Sequence, residues 1–370
     1  MRTGAPDLDD VDHLTAADTE GLLHSVALAG AQVRSVGEAV REGVTEPLSQ
    51  LRPRSVVIVC APGSRAAAAA AMVSSVMTTR IDVPIVCAPA LPGWIGPLDV
   101  VVLAGAGGGD MVLADAAARA LRRRAEVVIA APIEGPLREA LGGNGIDLSP
   151  RVDVDPRFRF TGFAAVLLAV FTSLTQVRFT GSAPAVSDIA DALDTEAAAG
   201  HPARETFHNR AKLLAARIGE RPVMWSGDSP ATLAVAAGAA GLVFAVTGTP
   251  SSAADLADVS VASRDIWSAA DPASQNSIFY DPEIDGPRAD APPRVLVAST
   301  SAREWRTRRR VGGLHTAEVV VGTDDDQPPG GWGEPEEPTD TPADLTSLLV
   351  LALRIEMAAV YVRLIGAGRG

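Results

Sequence analysis

Lysine, cysteine and histidine are scarce in this chain of 370 residues, and each scarcity excludes a kind of chemistry. Lys212 is the single lysine, and the other 31 of the 32 basic residues are arginines. The two cysteines, Cys60 and Cys87, lack the spacing of a redox pair or a metal site, so both are predicted to be reduced residues of the core. The five histidines are dispersed without paired ligand spacing. The sequence therefore predicts no metal and no cofactor.

A net positive charge and an uninterrupted apolar run are also missing. The formal net charge of −13 repels phosphodiester backbones and anionic lipid, so neither nucleic acid nor a membrane is expected as a partner. The arginine runs 122–124 and 306–310 are predicted to be solvated faces. The first residues are acidic and contain no apolar run, which predicts a cytoplasmic protein. The longest apolar tract, 345–365, contains three charged residues and is predicted to be a buried or interfacial helix.

Short Val/Ile runs that alternate with helical segments are what the chain does contain. Residues 55–64, SVVIVCAPGS, form a β-branched run with a glycine turn, and an alanine-rich segment that favours helix follows directly. Residues 98–110, LDVVVLAGAGGGD, repeat the pattern before another helical segment. This alternation predicts an α/β fold with a parallel sheet, whose ligand crevices lie at the carboxyl ends of the strands. The turns at Gly63 and at 105–110 are therefore the first functional candidates.

Two domains are expected from the chain length and from a weaker repeat of the pattern in the second half. The first domain is placed at 1–180, with an N-terminal helix at 15–41 and a closing helix at 160–174. The second is placed at 181–370, with an exposed acidic loop rich in Pro and Gly at 322–344 and the apolar final helix. That helix has too little polar surface for solvent, so it must pack against the body of the protein or against a second copy. We therefore expect a homodimer.

Several segments resemble the dual-specificity phosphoglucose/phosphomannose isomerases, which are built from two sugar-isomerase (SIS) domains. VVIVCAPGSRAAAAA stands where that family has a Gly-Gly-Ser turn, and residues 209–212, NRAK, resemble its Asn-x-Ala-Lys segment. IFYDPEIDGP and the closing VYVRLIGAG resemble its C-terminal segments, and the chain is most similar to the TobH-like members from high-GC bacteria. The resemblance implies two SIS domains, each a doubly wound, flavodoxin-like parallel sheet flanked by helices. It also implies a sugar phosphate as ligand.

The residues that the resemblance places around the ligand lie on the two turns and near the end of the first domain: Gly63, Ser64, Arg65, Gly105, Gly107, Gly108 and Arg159. In the family the second turn holds the phosphate with hydroxyl groups, whereas residues 104–110 here read AGAGGGD. Backbone N–H groups could still cradle an anion there. Asp110, however, is predicted to cap the following helix and to put a carboxylate where the phosphate would lie.

The catalytic residues of the family have no clear counterpart in this sequence. The family takes a glutamate base and a histidine from the region that corresponds to 245–267, which here contains neither residue. Glu205 and His208 are weak candidates, because His208 lies before the second domain's first strand and belongs to the Asn-x-Ala-Lys match. The sequence therefore favours a sugar-phosphate-binding protein of the glucose-6-phosphate/mannose-6-phosphate isomerase type whose catalysis is weakened or lost.

Two other interpretations stay open at this point. The first alternative is an active aldose–ketose phosphosugar isomerase, in which a base and an acid converge on the two turns. A minor alternative is a nucleotide-binding, Rossmann-like protein, although the glycines at 105–109 lack the G-x-G-x-x-G spacing.

Overall fold

A computed structural model describes residues 7–264, 292–314, 316–322 and 340–366. The segment IFYDPEIDGP and most of the loop predicted at 322–344 lie outside these ranges.

The N-terminal segment forms three helices where the sequence predicts one over 15–41. They are α1 (Val11–Ala17), α2 (Leu22–Ala27) and α3 (Ala29–Arg41). The Asp18 carboxylate accepts the N–H groups of Leu22 at 2.7 Å and Leu23 at 2.9 Å, which satisfies two donors at the start of α2. Gly21 adopts a left-handed φ of 68°, which breaks the helix between α1 and α2.

The first domain contains a five-stranded parallel sheet. Its strands are β1 (Ser55–Val59), β2 (Ile85–Ala88), β3 (Asp99–Ala104), β4 (Glu126–Ala130) and β5 (Ile146–Asp147). Its helices are α4 (Arg65–Met77), α5 (Met111–Arg122), α6 (Gly135–Leu141) and α7 (Phe160–Ser173). The strand order β2-β1-β3-β4-β5 is the flavodoxin-like order, with the switch point between β1 and β3. The all-apolar cores of β1 and β3 fit a sheet that is covered on both faces.

The second domain repeats this arrangement with four strands. Its elements in chain order are α8 (Val186–Ala199), α9 (Arg210–Glu220), β6 (Val223–Gly227), α10 (Pro230–Thr247), β7 (Ser252–Asp255), α11 (Leu256–Ala262), β8 (Arg294–Ser299), α12 (Glu304–Val311), β9 (Ala317–Val321) and α13 (Leu345–Gly366). The order is β7-β6-β8-β9, and every pair is parallel. The predicted α/β class with two doubly wound parallel sheets is confirmed.

The final helix, α13, is a core helix of the protein. It packs against α8, α9 and α10, and most of its residues are buried. Each charged residue that interrupts its apolar sequence has a partner. Arg354 binds both carboxylate oxygens of Glu196, at 2.6 and 2.7 Å, and Arg363 donates to the Val246 carbonyl oxygen. The apolar surface of α13 is thus covered within the chain, so it no longer argues for a dimer.

Helix α10 has the length and apolarity of a membrane span, by composition alone, but half of it is buried against α4, α13 and β6. It is placed as a core helix that covers the second sheet. One prediction about the core is wrong: Cys60 is buried, but Cys87 is exposed, because β2 is an edge strand of the first sheet.

Candidate functional site

The two turns singled out in the sequence lie side by side. Strands β1 and β3 pair in parallel from Ser55–Asp99 to Val59–Leu103, so the turns that follow them share the carboxyl edge of the first sheet. This edge, with the turns 61–64 and 105–110, is the candidate site and is called the first-domain edge below. Parallel α/β sheets bind their ligands in this position.

The first turn is open to solvent and retains one free hydroxyl hydrogen. Gly63 has a φ of 73°, and a side chain placed there would meet no heavy atom within 4 Å. Ser64 caps α4, because its Oγ accepts the N–H of Ala67 at 3.1 Å. The hydroxyl hydrogen of Ser64 is not used by that bond and can be donated to a ligand oxygen.

The second turn is fixed tightly against the loop that follows β4. A Cβ atom on Gly108 would lie 2.5 Å from the Glu134 carbonyl oxygen and 2.6 Å from that of Pro132. The Leu137 N–H also donates to the Gly108 carbonyl oxygen at 3.1 Å. Glycine is therefore required at 108 for close packing of two backbones, and the turn is preorganised.

Asp110 caps α5, as the sequence predicts. Its Oδ1 accepts the N–H of Val112 at 2.8 Å and the N–H of Leu113 at 3.3 Å. The donors that an anion would use at this helix N-terminus are therefore already engaged by a carboxylate. The cap leaves the first turn as the better anion site of the first-domain edge.

Arg159 reaches the second turn from the start of α7. Its Nη1 donates to the Ala106 carbonyl oxygen at 3.0 Å, while its Nε is buried without a hydrogen-bond partner. Burial lowers the pKa of Arg159, and the carboxylates of Asp153, Asp155 and Glu134 oppose that effect. The guanidinium thus supplies a cation beside the turn.

Glu134 is a functional candidate that the sequence analysis missed. It lies just after β4, and its Cγ would be 2.6 Å from a Cβ atom on Gly108, so its side chain lies over the second turn. It is also exposed. The signal that could have identified it is its position directly after the apolar strand segment AEVVIAAPI, at the same carboxyl edge as the two turns.

Arg65 lies next to the first turn in sequence, but its guanidinium is turned into the domain interface. Its Nη2 donates to Glu356 Oε1 at 2.7 Å, its Nη1 donates to the Gly238 carbonyl oxygen at 2.9 Å, and it stacks on the Phe160 ring. Its side chain is only 15% exposed. The Arg65 side chain therefore connects α4 with the second domain and α13, and it is not directed at the first turn.

Glu205 and His208 are not brought to the first-domain edge. Both are exposed; Glu205 precedes a short 3-10 helix, Thr206–His208, and His208 is its last residue. The neighbouring Thr206 donates to Asp9 near the N-terminus, through its N–H at 2.6 Å and its hydroxyl at 2.8 Å.

The Asn-x-Ala-Lys match has a structural explanation. Asn209 caps α9 by accepting the Lys212 N–H at 3.0 Å. The buried Lys212 ammonium donates to the carbonyl oxygens of Pro202 at 2.8 Å and Arg204 at 2.7 Å. Burial lowers the pKa of Lys212, and Asp9, 3.6 Å away, acts in the opposite direction. The only lysine of the chain therefore holds the segment before α9 in place.

The carboxyl edge of the second sheet carries a buried polar cluster made of Asp228, Ser299, Arg303, Thr307 and Asp340. Asp228 accepts hydrogen bonds from the hydroxyls of Ser299 at 3.2 Å and of Thr307. The Arg303 guanidinium lies between Asp228, at 3.5 Å, and Asp340, at 3.8 Å. Burial raises the pKa of Asp340.

This second-domain cluster has hydroxyl groups at the end of β8 and on α12, whereas the turn after β3 in the first domain is rich in glycine. However, two carboxylates flank its single arginine, and Asp340 also accepts the Ala231 N–H of α10 at 3.1 Å. The positive charge of Arg303 is thus outnumbered by carboxylates within the cluster, and the helix donor at Ala231 is engaged. The first-domain edge is the more open of the two.

Comparisons with known proteins identify the fold. No family model and no curated protein matches the chain. Among solved structures, the tagatose-6-phosphate ketose/aldose isomerase of Escherichia coli is similar, with a TM-score of 0.57, 14% identity and coverage of 95% of each chain. The C-terminal domain of glucosamine-fructose-6-phosphate aminotransferase from Francisella tularensis matches with a TM-score of 0.53 and 9% identity, covering 99% of this chain and 98% of that one. The chain therefore has the two-domain SIS fold.

Proposed function

We propose that this protein binds a sugar phosphate at the first-domain edge and converts it slowly or not at all. The observation that carries the proposal is the convergence of an open glycine turn, the Ser64 hydroxyl and the Arg159 cation at the carboxyl edge of one sheet. Similar solved structures that act on tagatose 6-phosphate share the fold, which supports this ligand class. The glucose-6-phosphate/mannose-6-phosphate type is the specific ligand that we propose from the sequence resemblance.

In this proposal the phosphate lies at the first turn. The Ser64 hydroxyl and the N–H groups at the start of α4 donate to its oxygens, and the backbone of Gly105, Gly107 and Gly108 lines the sugar. Arg159 balances the negative charge from the side of the second turn. Asp110 keeps the N-terminus of α5 closed to the same anion.

Weak catalysis is proposed because one half of an acid–base pair is missing at this edge. Glu134 lies beside the second turn, whereas neither turn, 61–64 or 105–110, contains a histidine, lysine or tyrosine. A positioned acid or base contributes a factor of about 100 to 10,000 to such reactions. The presence of Glu134 is the one observation that favours the second candidate, an active aldose–ketose isomerase in which this residue is the base.

The experiment is a thermal-shift screen with hexose and pentose phosphates, followed by calorimetric titration of the best ligand. We expect glucose 6-phosphate or mannose 6-phosphate to stabilise the protein, and glucose to have no effect. Ser64→Ala and Arg159→Gln should each weaken binding, while the surface variant Arg119→Gln should not. Unchanged affinity in both site variants would refute the proposed location.

A coupled isomerase assay on the same proteins separates binding from turnover. We expect a rate near the uncatalysed background for the wild type. Turnover in the ordinary enzymatic range that is abolished by Glu134→Gln would establish the isomerase instead, with Glu134 as its base.

A further inference from the structure

The outer edge of β9 has a groove that the proposed sugar-phosphate site does not use. The first four strand positions of the two sheets match in order, but β5 has no counterpart beside β9 among the described residues. In its place lies a groove of about 520 Å³ between α9, β9 and the end of α12. This space, called the β9 groove below, corresponds to the position that β5 occupies in the first sheet.

The backbone of β9 presents hydrogen-bonding groups to this groove. The Val295 N–H of β8 donates to the Thr316 carbonyl oxygen at 2.9 Å, which fixes the alternation along β9. The amide groups of residues 317, 319 and 321 therefore point away from β8. Arg354 already uses one of them, because its Nη1 donates to the Val321 carbonyl oxygen at 2.5 Å. The N–H and C=O groups of Val319 face the open side.

Arginines outnumber carboxylates among the described residues that line the groove, although the whole chain is acidic. Arg210, Arg217, Arg308 and Arg354 line it, and Glu318 is the one carboxylate among the described lining residues, while Glu196 binds Arg354 and Glu304 binds Arg308. Both oxygens of Glu318 are engaged, with Arg294 at 2.8 Å and Arg217 at 3.0 Å. The side chains of Arg217 and Arg308 are 42% and 58% exposed. Leucine and valine side chains of α9 and β9 form the apolar part of the wall.

We propose that the β9 groove binds an extended acidic segment of a partner protein, which adds a fifth strand to the second sheet. The main chain of the segment pairs with Val319, alternate apolar side chains contact the wall, and carboxylates meet the arginines. The chain's own residues 323–339 have six carboxylates but also four prolines, which lack the N–H groups that a strand must donate. Charge would suit either occupant, and the four prolines therefore favour a separate partner.

The test is a fluorescence anisotropy titration of the full chain with a fluorescein-labelled decapeptide of alternating Val and Glu. The control is a decapeptide of alternating Val and Lys. We expect it to bind at least about tenfold more weakly than the Val/Glu peptide, because its positive charges are repelled by the arginines. N-methylation of alternate residues on one edge of the Val/Glu peptide should weaken binding by about tenfold, and the same change on the other edge should not. Equal binding of the Val/Glu and Val/Lys peptides, or insensitivity to N-methylation, would overturn strand addition.

Variants of the protein test whether the peptide binds in the β9 groove. Val319→Pro removes the outward N–H without removing a bond to β8 and should reduce the affinity about tenfold, with a retained unfolding transition as the check that the variant is folded. Arg308→Gln should weaken binding severalfold. Arg119→Gln is the matched control and should not, because Arg119 also forms an i,i+4 ion pair, with Asp115, but lies outside the groove. Binding that appears only after 323–339 is replaced by a Gly/Ser linker would assign the groove to the chain's own segment and overturn the proposal. A dimer that Val319→Pro dissociates would assign it to a second copy, with the same consequence.

Discussion

At the scale of single residues, one carboxylate decides which turn of the first-domain edge is open to an anion. Asp110 occupies the donors of α5, whereas Ser64 caps α4 with a neutral hydroxyl that can still donate. Both residues satisfy a helix N-terminus, but only one of them repels a phosphate.

Replacing Asp110 by threonine should open a second anion site at low cost. Threonine still caps, so the free energy of unfolding should fall by less than about 1 kcal/mol. The affinity for inorganic phosphate, measured by calorimetry at low salt, should rise because the competing charge is gone. Asp255→Thr is the matched control, since Asp255 caps α11 in the same way at 2.7 Å. Equal or weaker phosphate binding by Asp110→Thr would remove the argument that this carboxylate closes the turn.

Glu356 makes the domain interface sensitive to pH. It is fully buried, its Oε2 has no hydrogen-bond partner, and burial raises its pKa to about 7 although Arg65 acts in the opposite direction. The folded-state pKa lies above the unfolded value, so the stabilising contribution is complete below about pH 4.5 and is lost as the pH rises toward 7.

Glu356→Gln should remove this dependence. As the pH rises from 4.5 to 7, the variant should become more stable relative to the wild type. The gain in unfolding free energy should be on the order of 3 kcal/mol, because each pKa unit corresponds to about 1.4 kcal/mol. Urea unfolding at several pH values measures it, and other titrating groups cancel in the difference. A difference that stays flat with pH would show that Glu356 titrates normally.

At the scale of elements, the second turn owes its shape to a contact between two backbones. Gly108→Ala would place a Cβ 2.5 Å from a carbonyl oxygen and should destabilise the protein by about 1 to 3 kcal/mol. Gly109→Ala is the control, since nothing lies within 4 Å of its Cβ position. Denaturant unfolding of both variants checks this expectation, and equal stabilities would contradict the packing described for Gly108.

Elements with a strong local signal were predictable from the sequence, and those set by neighbours were not. The Val/Ile runs of β1, β3 and β4 are recognisable as strands from their composition. The two-residue β5 and the SAAD segment of β7 do not, because pairing rather than composition makes them strands. The same limit applies to the candidate site. The two turns are local patterns, whereas the inward path of Arg65 and the position of Glu134 depend on residues distant in sequence.

At the scale of the whole molecule, we expect a homodimer that forms through the exposed surface of α10. Half of this apolar helix is buried, and Phe244 on its outer face is 59% exposed. Phe244→Glu should convert a dimer to a monomer in light scattering at micromolar concentration, because it places a charge in an apolar contact. Phe207→Glu, at a residue that is 80% exposed elsewhere, should leave the dimer intact. A monomeric wild type would contradict the expectation.

The most direct test of the account is a crystal structure of the protein with glucose 6-phosphate. We predict phosphate density within hydrogen-bond distance of Ser64 Oγ and of the first N–H groups of α4, with the sugar extending toward the second turn and Arg159. Phosphate density at the hydroxyl-bearing turn after β8, beside Arg303, would contradict the central claim, because it would place the ligand at the edge where two carboxylates flank the arginine.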